Sequence, residues 1–307
     1  MIKIISQETD KSTDNIIKWL LFYDQEFRRY NVEDFTEFSF RLDDDLSGFN
    51  FLHRRARLTT FFNTGSKLLN TYIREETNMI IKAWEKIIKT DNKASYIGEF
   101  NEEEQHNKLL DLHVANSIGL LIPKTLVTNS KKELNAFADK YPIITKAIKT
   151  PVNINDKDFS VQDKGTMFVK REDIDDLDDY FSLSIFQEYI QKDYEIRAFV
   201  YENKIFPMAI FSQNDTQTQT DYRNYNTKKP NRCVPFKFPE DIEKKIFKFF
   251  KIKKINTGSV DLIINNGNFY FLENNPQGQY EWLSENCNYY IDKFIAKNLM
   301  NMENGRK

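Results

Sequence analysis

A chain of 307 residues that is 40% hydrophobic and 14% aromatic can bury a large core, enough for two or three domains. Lys plus Arg number 44 against 46 for Asp plus Glu, a net charge of -2, which argues against a nucleic-acid binder, since that affinity needs a basic excess. Cys233 and Cys287 lie far apart in sequence and suggest a reducing compartment rather than a disulfide framework. The opening residues hold no apolar stretch long enough for a signal peptide, and no run approaches the ~20 apolar residues of a membrane span. A cytoplasmic, soluble protein with no membrane or nucleic-acid partner is expected.

Residues 2–6, IKIIS, read as an apolar strand, with Ser12 or Asp14 as the cap of a helix on which Ile16, Ile17, Leu20 and Leu21 recur. Farther on, Leu69, Tyr72, Ile73, Met79, Ile80, Ala83, Trp84 and Ile87 fall on one stripe, the pattern of a core-facing helix. NEEEQHNKLLDLHVANSIGL reads as a helix capped by Asn101 with Gly119 near its end, and SKKELNAFADKYP as another, Ser130 and Glu133 being spaced as a capping box. LIPKTLVT, PIITKAI, LSIFQEYI, YEIRAFVYE and KIFPMAIFSQ read as strands, and VQDKGTMFVK as a loop and strand. After a polar stretch, FPEDIEKKIFKFFKI is a helix with acids early and lysines late, matching its dipole. A hairpin at 260–275 and a helix in NYYIDKFIAKNLM complete an α+β order, with antiparallel strands concentrated late.

The hairpin VDLIINNGNFYFLENN contains an anomaly: Asp261, Glu273 and Asn275 sit in or at the end of β-type runs, where carboxylates are poor residues and costly to bury unpaired. Glu273 and Asn275 share a face by alternation. Asp261 joins them only if it lies opposite Glu273, which a three-residue loop Asn266-Gly267-Asn268 would allow. A two-residue Asn266-Gly267 turn would pair Asp261 with Leu272 instead. If the faces agree, two carboxylates and an amide oxygen form a set suited to Mg²⁺; the plainer reading is an exposed polar edge strand. Other residues have paired readings too. Lys146 in its apolar strand either snorkels to solvent or meets a phosphate. Glu188, Tyr189 and Ile190 either form an ordinary strand end or offer backbone groups to a purine edge. Glu195 and Arg197 share a strand face as a cross-strand pair or as site residues. Arg223 in DYRNYN is solvated or clamps a developing phosphate charge. His53, His106 and His113 show no metal or triad spacing.

Lys146, QEYI, EIRAFV, DYRNYN and VDLIIN…FLENNP, in this order from about Leu109 onward, resemble the ATP-grasp superfamily of carboxylate–amine ligases. NPQGQYEW after the acid pair resembles the peptide maturases that make graspetides, and CNYY their grasp-with-spasm branch. The resemblance implies an α+β ATP-grasp fold in three parts: an N-terminal α/β domain over 1–98, a central lid-bearing part over 99–187 and a catalytic antiparallel-sheet part over 188–307. It implies ATP and Mg²⁺, with Lys146, Glu188, Tyr189, Ile190, Glu195, Arg223, Asn224 and Asn226 toward the nucleotide. Asp261, Glu273 and Asn275 would hold the metal, and Lys146, Arg197 and Arg223 would be the catalytic cations. The implied substrate is a ribosomal precursor peptide, leader plus core, whose Asp or Glu side chains are phosphorylated and then closed into ester or amide rings. A homodimer is common among such enzymes. VQDKGTMFV would be a mobile lid with Gly165 as its flexible point.

Two other functions fit part of the pattern. A ligase of the same superfamily could add a free amino acid to an acceptor, which raises product mass where cyclisation lowers it. A nucleotide-responsive binding module needs no such complete cationic and metal set. HRRAR (53–57) and Arg28-Arg29 either meet an acidic precursor segment or pair with local acids such as Asp43 to Asp45.

Overall fold

The computed structural model describes residues 1–33, 39–45, 49–54, 63–90, 95–98, 106–148, 153–156, 160–162, 165–214, 228 and 230–304. The N-terminal third is a parallel sheet, ordered β2-β1-β3-β4 from β1 (Ile2–Ser6), β2 (Phe27–Asn31), β3 (Asn50–His53) and β4 (Ser95–Ile97). β1 is apolar on both faces because it lies inside a parallel sheet covered on both sides. Ile2 and Ile4 face α1 (Lys11–Phe22), whereas Ile5 joins Trp84 and Ile88 on α2 (Lys67–Thr90). The cap of α1 is Asp10, whose carboxylate accepts from the Thr13 N–H at 3.1 Å. Ser12, expected as a cap, instead donates its hydroxyl to Asp10.

The stripe expected along α2 holds only in part. Trp84 is buried and Ile87 is partly buried, but Leu69, Tyr72, Met79, Ile80 and Ala83 are exposed. The core takes Ile81, Trp84, Glu85 and Ile88, so only the last two turns of α2 pack on the sheet. Glu85 is buried there as the partner of His53, which explains why a carboxylate occupies a core-facing position.

Next come α3 (Lys108–Ser117), capped by Asn107 through its Leu109 and Leu110 N–H groups, and β5 (Thr125–Ser130). Asn101 lies outside the described residues. α4 (Lys131–Ala138) is capped by Ser130 as its sequence suggested. With β6 (Ile143–Thr145), the hairpin β7 (Asn153–Asn155)/β8 (Ser160–Gln162), β9 (Met167–Val169), α5 (Arg171–Asp175) and β10 (Tyr180–Glu188), the chain forms a second sheet ordered β5-β10-β6-β9. Leu134, Ile143, Ile174 and Phe186 are its core.

The third sheet is antiparallel, ordered β13-β12-β11-β14-β15 from β11 (Tyr194–Tyr201), β12 (Lys204–Phe211), β13 (Arg232–Pro235), β14 (Thr257–Asn265) and β15 (Asn268–Asn275). On β11, Ile196, Ala198 and Val200 face α3 and α6 (Glu240–Lys253). Phe199 and Tyr201 face the opposite way, toward α7 (Glu281–Cys287) and α8 (Ile291–Asn304). Strand alternation puts Glu195 and Arg197 on that second face, beyond the reach of the helices. Helix α7 follows the hairpin where the sequence reading had only one last helix. α8 closes the N-terminal core: Ile295 and Leu299 pack with Ile2, Ile4 and Leu52, and Asn50 Nδ2 donates to the Leu299 carbonyl at 2.9 Å.

Cys287 is buried in this core with Cys233 packed against it, and both thiols are free. Burial pushes each thiol up to about 11. Their thiolate fraction near neutral pH is therefore on the order of 10⁻⁴, and alkylation should be slow and rise ~10-fold per pH unit up to about 11. Fast labelling by a thiol reagent at pH 7.5 would contradict this. No helix among the described residues is long and apolar enough to cross a membrane.

Candidate active site

A cleft of about 680 Å³, measured out to its open mouth, is lined by residues of the second and third sheets. Ile144, Lys146, Glu188, Tyr189 and Ile190 come from the second sheet and its exit; Glu195, Asp261, Ile263, Leu272 and Glu273 come from the third. Seven residues expected at a nucleotide and metal site thus line one space.

The hairpin solves its register in a way that neither simple turn allows. Asn266 and Gly267 form a two-residue turn, with φ of 47° and 77°, the left-handed pair of a type I′ turn. Asn265 pairs with Asn268 and Leu262 with Phe271, the register that alone would set Asp261 opposite Leu272. A β-bulge at Leu272 then inserts one residue, and Asp261 pairs with Glu273 and Ser259 with Asn275. The bulge also places Leu272 and Glu273 both against the cleft, where strict alternation would separate them. Asp261, Glu273 and Asn275 therefore share a face. The two acids are 7% and 6% exposed, and Asn275 is exposed at the strand end.

Buried acids need cations, and two supply them. Arg197, the ladder partner of Asp261 on β11, donates from Nη1 to both its carboxylate oxygens at 2.7 and 3.0 Å. Lys108, in the first turn of α3, lies 3.3 Å from Glu273 and donates to the Ala147 carbonyl at 3.4 Å. The donor set is all oxygen, hard and anionic, which fits Mg²⁺; Asp261, Glu273 and Asn275 could ligate it with water completing the shell. Among the described residues no group of three or more His, Cys, Asp or Glu is placed to hold a metal.

Toward the other end of the cleft, Lys146 follows β6 by one residue. Glu188 ends β10, its N–H bonded to the Lys124 carbonyl and its side chain accepting the Lys124 N–H. The Tyr189 N–H, one of the backbone groups expected at a purine edge, is taken by the Pro142 carbonyl at 2.7 Å. Burial first, and the Glu195 charge second, push the Tyr189 phenol up, so it stays neutral. Its ring sits 4.5 Å from that of Phe168 on β9, beside Gly165 at φ 78° and Thr166 in the cleft wall. Glu195 is held by Lys192 Nζ and the Ser212 hydroxyl, each 2.7 Å from Oε1.

Arg223, Asn224 and Asn226 lie outside the described residues. Lys108, Lys192 and Ser212 were not anticipated. Lys108 leaves no distinguishing signal in the sequence, since α1, α2 and α4 also begin with a lysine. Of the basic residues read either as peptide-binding or as paired locally, His53 pairs with buried Glu85, Arg54 is buried and Arg29 bonds Asp14 at 2.6 Å, whereas Arg28 is exposed.

No family model and no curated protein matches the chain. Solved structures do. The Microcystis aeruginosa macrocyclase MdnC, crystallised with its precursor peptide MdnA, superposes with a TM-score of 0.79 at 26% identity over 98% of this chain and 100% of that one. A Chryseobacterium gregarium RiPP-associated ATP-grasp ligase, in complex with ADP and a leader and core peptide, gives 0.80 at 22% identity over 100% and 97%. D-alanine–D-alanine ligase from Bacillus anthracis, complexed with ATP, gives 0.55 at 14% over 100% and 98%. The fold is that of the ATP-grasp ligases, as its sequence resemblance implied. Within that fold the chain is built like the ligases that act on ribosomally made peptides, the graspetide-type maturases.

Proposed function

We propose that this protein is an ATP-dependent macrocyclase that phosphorylates Asp or Glu side chains of a ribosomal precursor peptide. It then closes ester rings with Ser or Thr, or amide rings with Lys, releasing ADP and phosphate. The observation that carries this reading is the convergence of Lys146, the Glu188–Ile190 edge, Glu195, Asp261 and Glu273 on one cleft. The peptide-bound relatives named above supply the substrate class.

A carboxylate resists attack by hydroxyl or amine until one oxygen carries a good leaving group. Its oxygen attacks the γ-phosphorus and ADP leaves; the hydroxyl oxygen or amine nitrogen then attacks the acyl carbon, losing its proton as phosphate departs. Such transfer depends on positioning and charge neutralisation. In this reading Ile190 and Glu188 orient the base, Glu195 accepts a ribose hydroxyl, and Lys146 and Arg223 neutralise phosphate oxygens. Asp261, Glu273 and Asn275 would hold Mg²⁺, which supplies Lewis-acid neutralisation of the transferring phosphate. Arg197 and Lys108 offset the cost of burying the two carboxylates. Thr166 and Phe168, next to Gly165, can shut water from the acyl phosphate. We assign the divisions 1–98, 99–187 and 188–307, each containing most of one large sheet, and a cytoplasmic setting in keeping with two free cysteines.

The test is mass spectrometry of a candidate precursor incubated with enzyme, ATP and Mg²⁺. Loss of whole waters is expected. A gain in mass by an added amino acid would instead indicate a ligase with a free amino-acid substrate.

A further inference from the structure

The turn that follows Asn275 is held by a residue from the other end of the chain. Arg54, just past β3 and 3% exposed, donates from Nη2 to the Gly278 carbonyl at 3.0 Å and from Nε to the Ser12 hydroxyl at 2.6 Å. Its guanidinium lies 4.4 Å from the Tyr280 ring centroid. Among the described residues no carboxylate bonds it directly; Asp292 lies within electrostatic reach, and Ser12 donates in turn to buried Asp10 at 2.7 Å. A guanidinium buried without a directly bonded carboxylate is costly, so its placement calls for a reason beyond filling space.

The Gly278 N–H donates to the Asn275 carbonyl at 2.9 Å, closing the turn on the last residue of β15. From beneath, the turn is pressed against Ser259: a Cβ on Gly278 would lie 2.1 Å from the Ser259 hydroxyl oxygen. Ser259 is also the ladder partner of Asn275, two residues from Asp261. The turn therefore has one rigid support below, in β14, and one at its exit, in Arg54.

We propose that Arg54 is a positioning residue for the metal-binding strand, fixing the Asn275–Gly278 turn so that the Asn275 amide oxygen stands beside Asp261 and Glu273. This rests on the reading of those three residues as the Mg²⁺ set. Arg54 does not touch the reacting atoms; its effect passes through the Gly278 carbonyl and the Asn275 backbone.

The experiment measures Mn²⁺ binding to the full chain with ADP, from the free-ion electron paramagnetic resonance signal, for wild type, Arg54→Met, Arg54→Lys and Asp261→Asn. Melting curves and metal-free ADP affinity are recorded alongside. Arg54→Met should weaken Mn²⁺ by roughly 10–100-fold, the range for loss of a supporting shell, with metal-free ADP affinity within about twofold of wild type. Arg54→Lys reaches one of the two acceptors and should fall between, and it serves if Arg54→Met does not fold. Lowered melting with Mn²⁺ affinity unchanged in both Arg54 variants, while Asp261→Asn loses it, would overturn the proposal and leave Arg54 a structural tie. If Asp261→Asn also binds Mn²⁺ like wild type, the metal assignment itself falls, and the role of Arg54 with it.

Discussion

Enzyme carrying Glu273→Gln should fold, bind its peptide and fail to ligate it. The replacement keeps shape and leaves an amide oxygen for Lys108, so the fold should survive an exchange at a position only 6% exposed. What disappears is one of the two anionic oxygens in the proposed three-member metal set. Outer-shell changes around metal sites cost ~10–100-fold, so loss of a direct ligand charge should cost more than about 100-fold in turnover. ADP release and peptide mass, read in the same reaction, check this. Full cyclisation by the variant would remove Glu273 from the site; retained ADP release without cyclisation would place it after phosphoryl transfer.

Arg197, which pairs with Asp261 of the cleft wall, is expected to have the largest effect on stability of the site's charged residues. Its contact with Asp261 is an ion pair with both partners under a tenth exposed. Removing one member of such a pair leaves an uncompensated charge, a loss of ~3–5 kcal/mol, whereas replacing both by apolar groups of similar volume is often near neutral. Arg197→Met alone should therefore lower the urea midpoint sharply, and Arg197→Met with Asp261→Leu should recover most of it while remaining inactive. Equal destabilisation by the single and double variants would show that Arg197 acts through packing alone. The double variant separates folding from chemistry, which the single variant cannot.

Sequence alone disclosed the site's components more readily than its construction. Asp261 and Glu273 stood out because acids are rare in apolar strands, yet their meeting depends on a bulge at Leu272, and no local residue pattern announces it. The Asn266-Gly267 signal gave the right turn and, followed strictly, the wrong partner. Lys146 and Glu188 were visible as polar interruptions of apolar runs. By contrast, helical periodicity overstated α2, because a stripe at helical spacing reports what a helix can bury and not whether a partner surface extends far enough to cover it. Asp10 was passed over for Ser12 because both are good caps in the same short stretch and only the backbone decides between them.

The closure of the N-terminal core by α8 has a consequence for biosynthesis. Ile2, Ile4, Leu52 and Ile97 lie in one core with Ile295 and Leu299. With ribosomes adding ~5–20 residues per second, the roughly two hundred residues between Ile97 and Leu299 take on the order of 10–40 s to appear. For that interval the first sheet is made but the face it shares with α1 lacks the cover of α8, a surface for chaperones to cover or for neighbouring nascent chains to meet. Arg54 likewise waits for Gly278, 224 residues later, so the Asn275–Gly278 turn can be set only after that stretch is made.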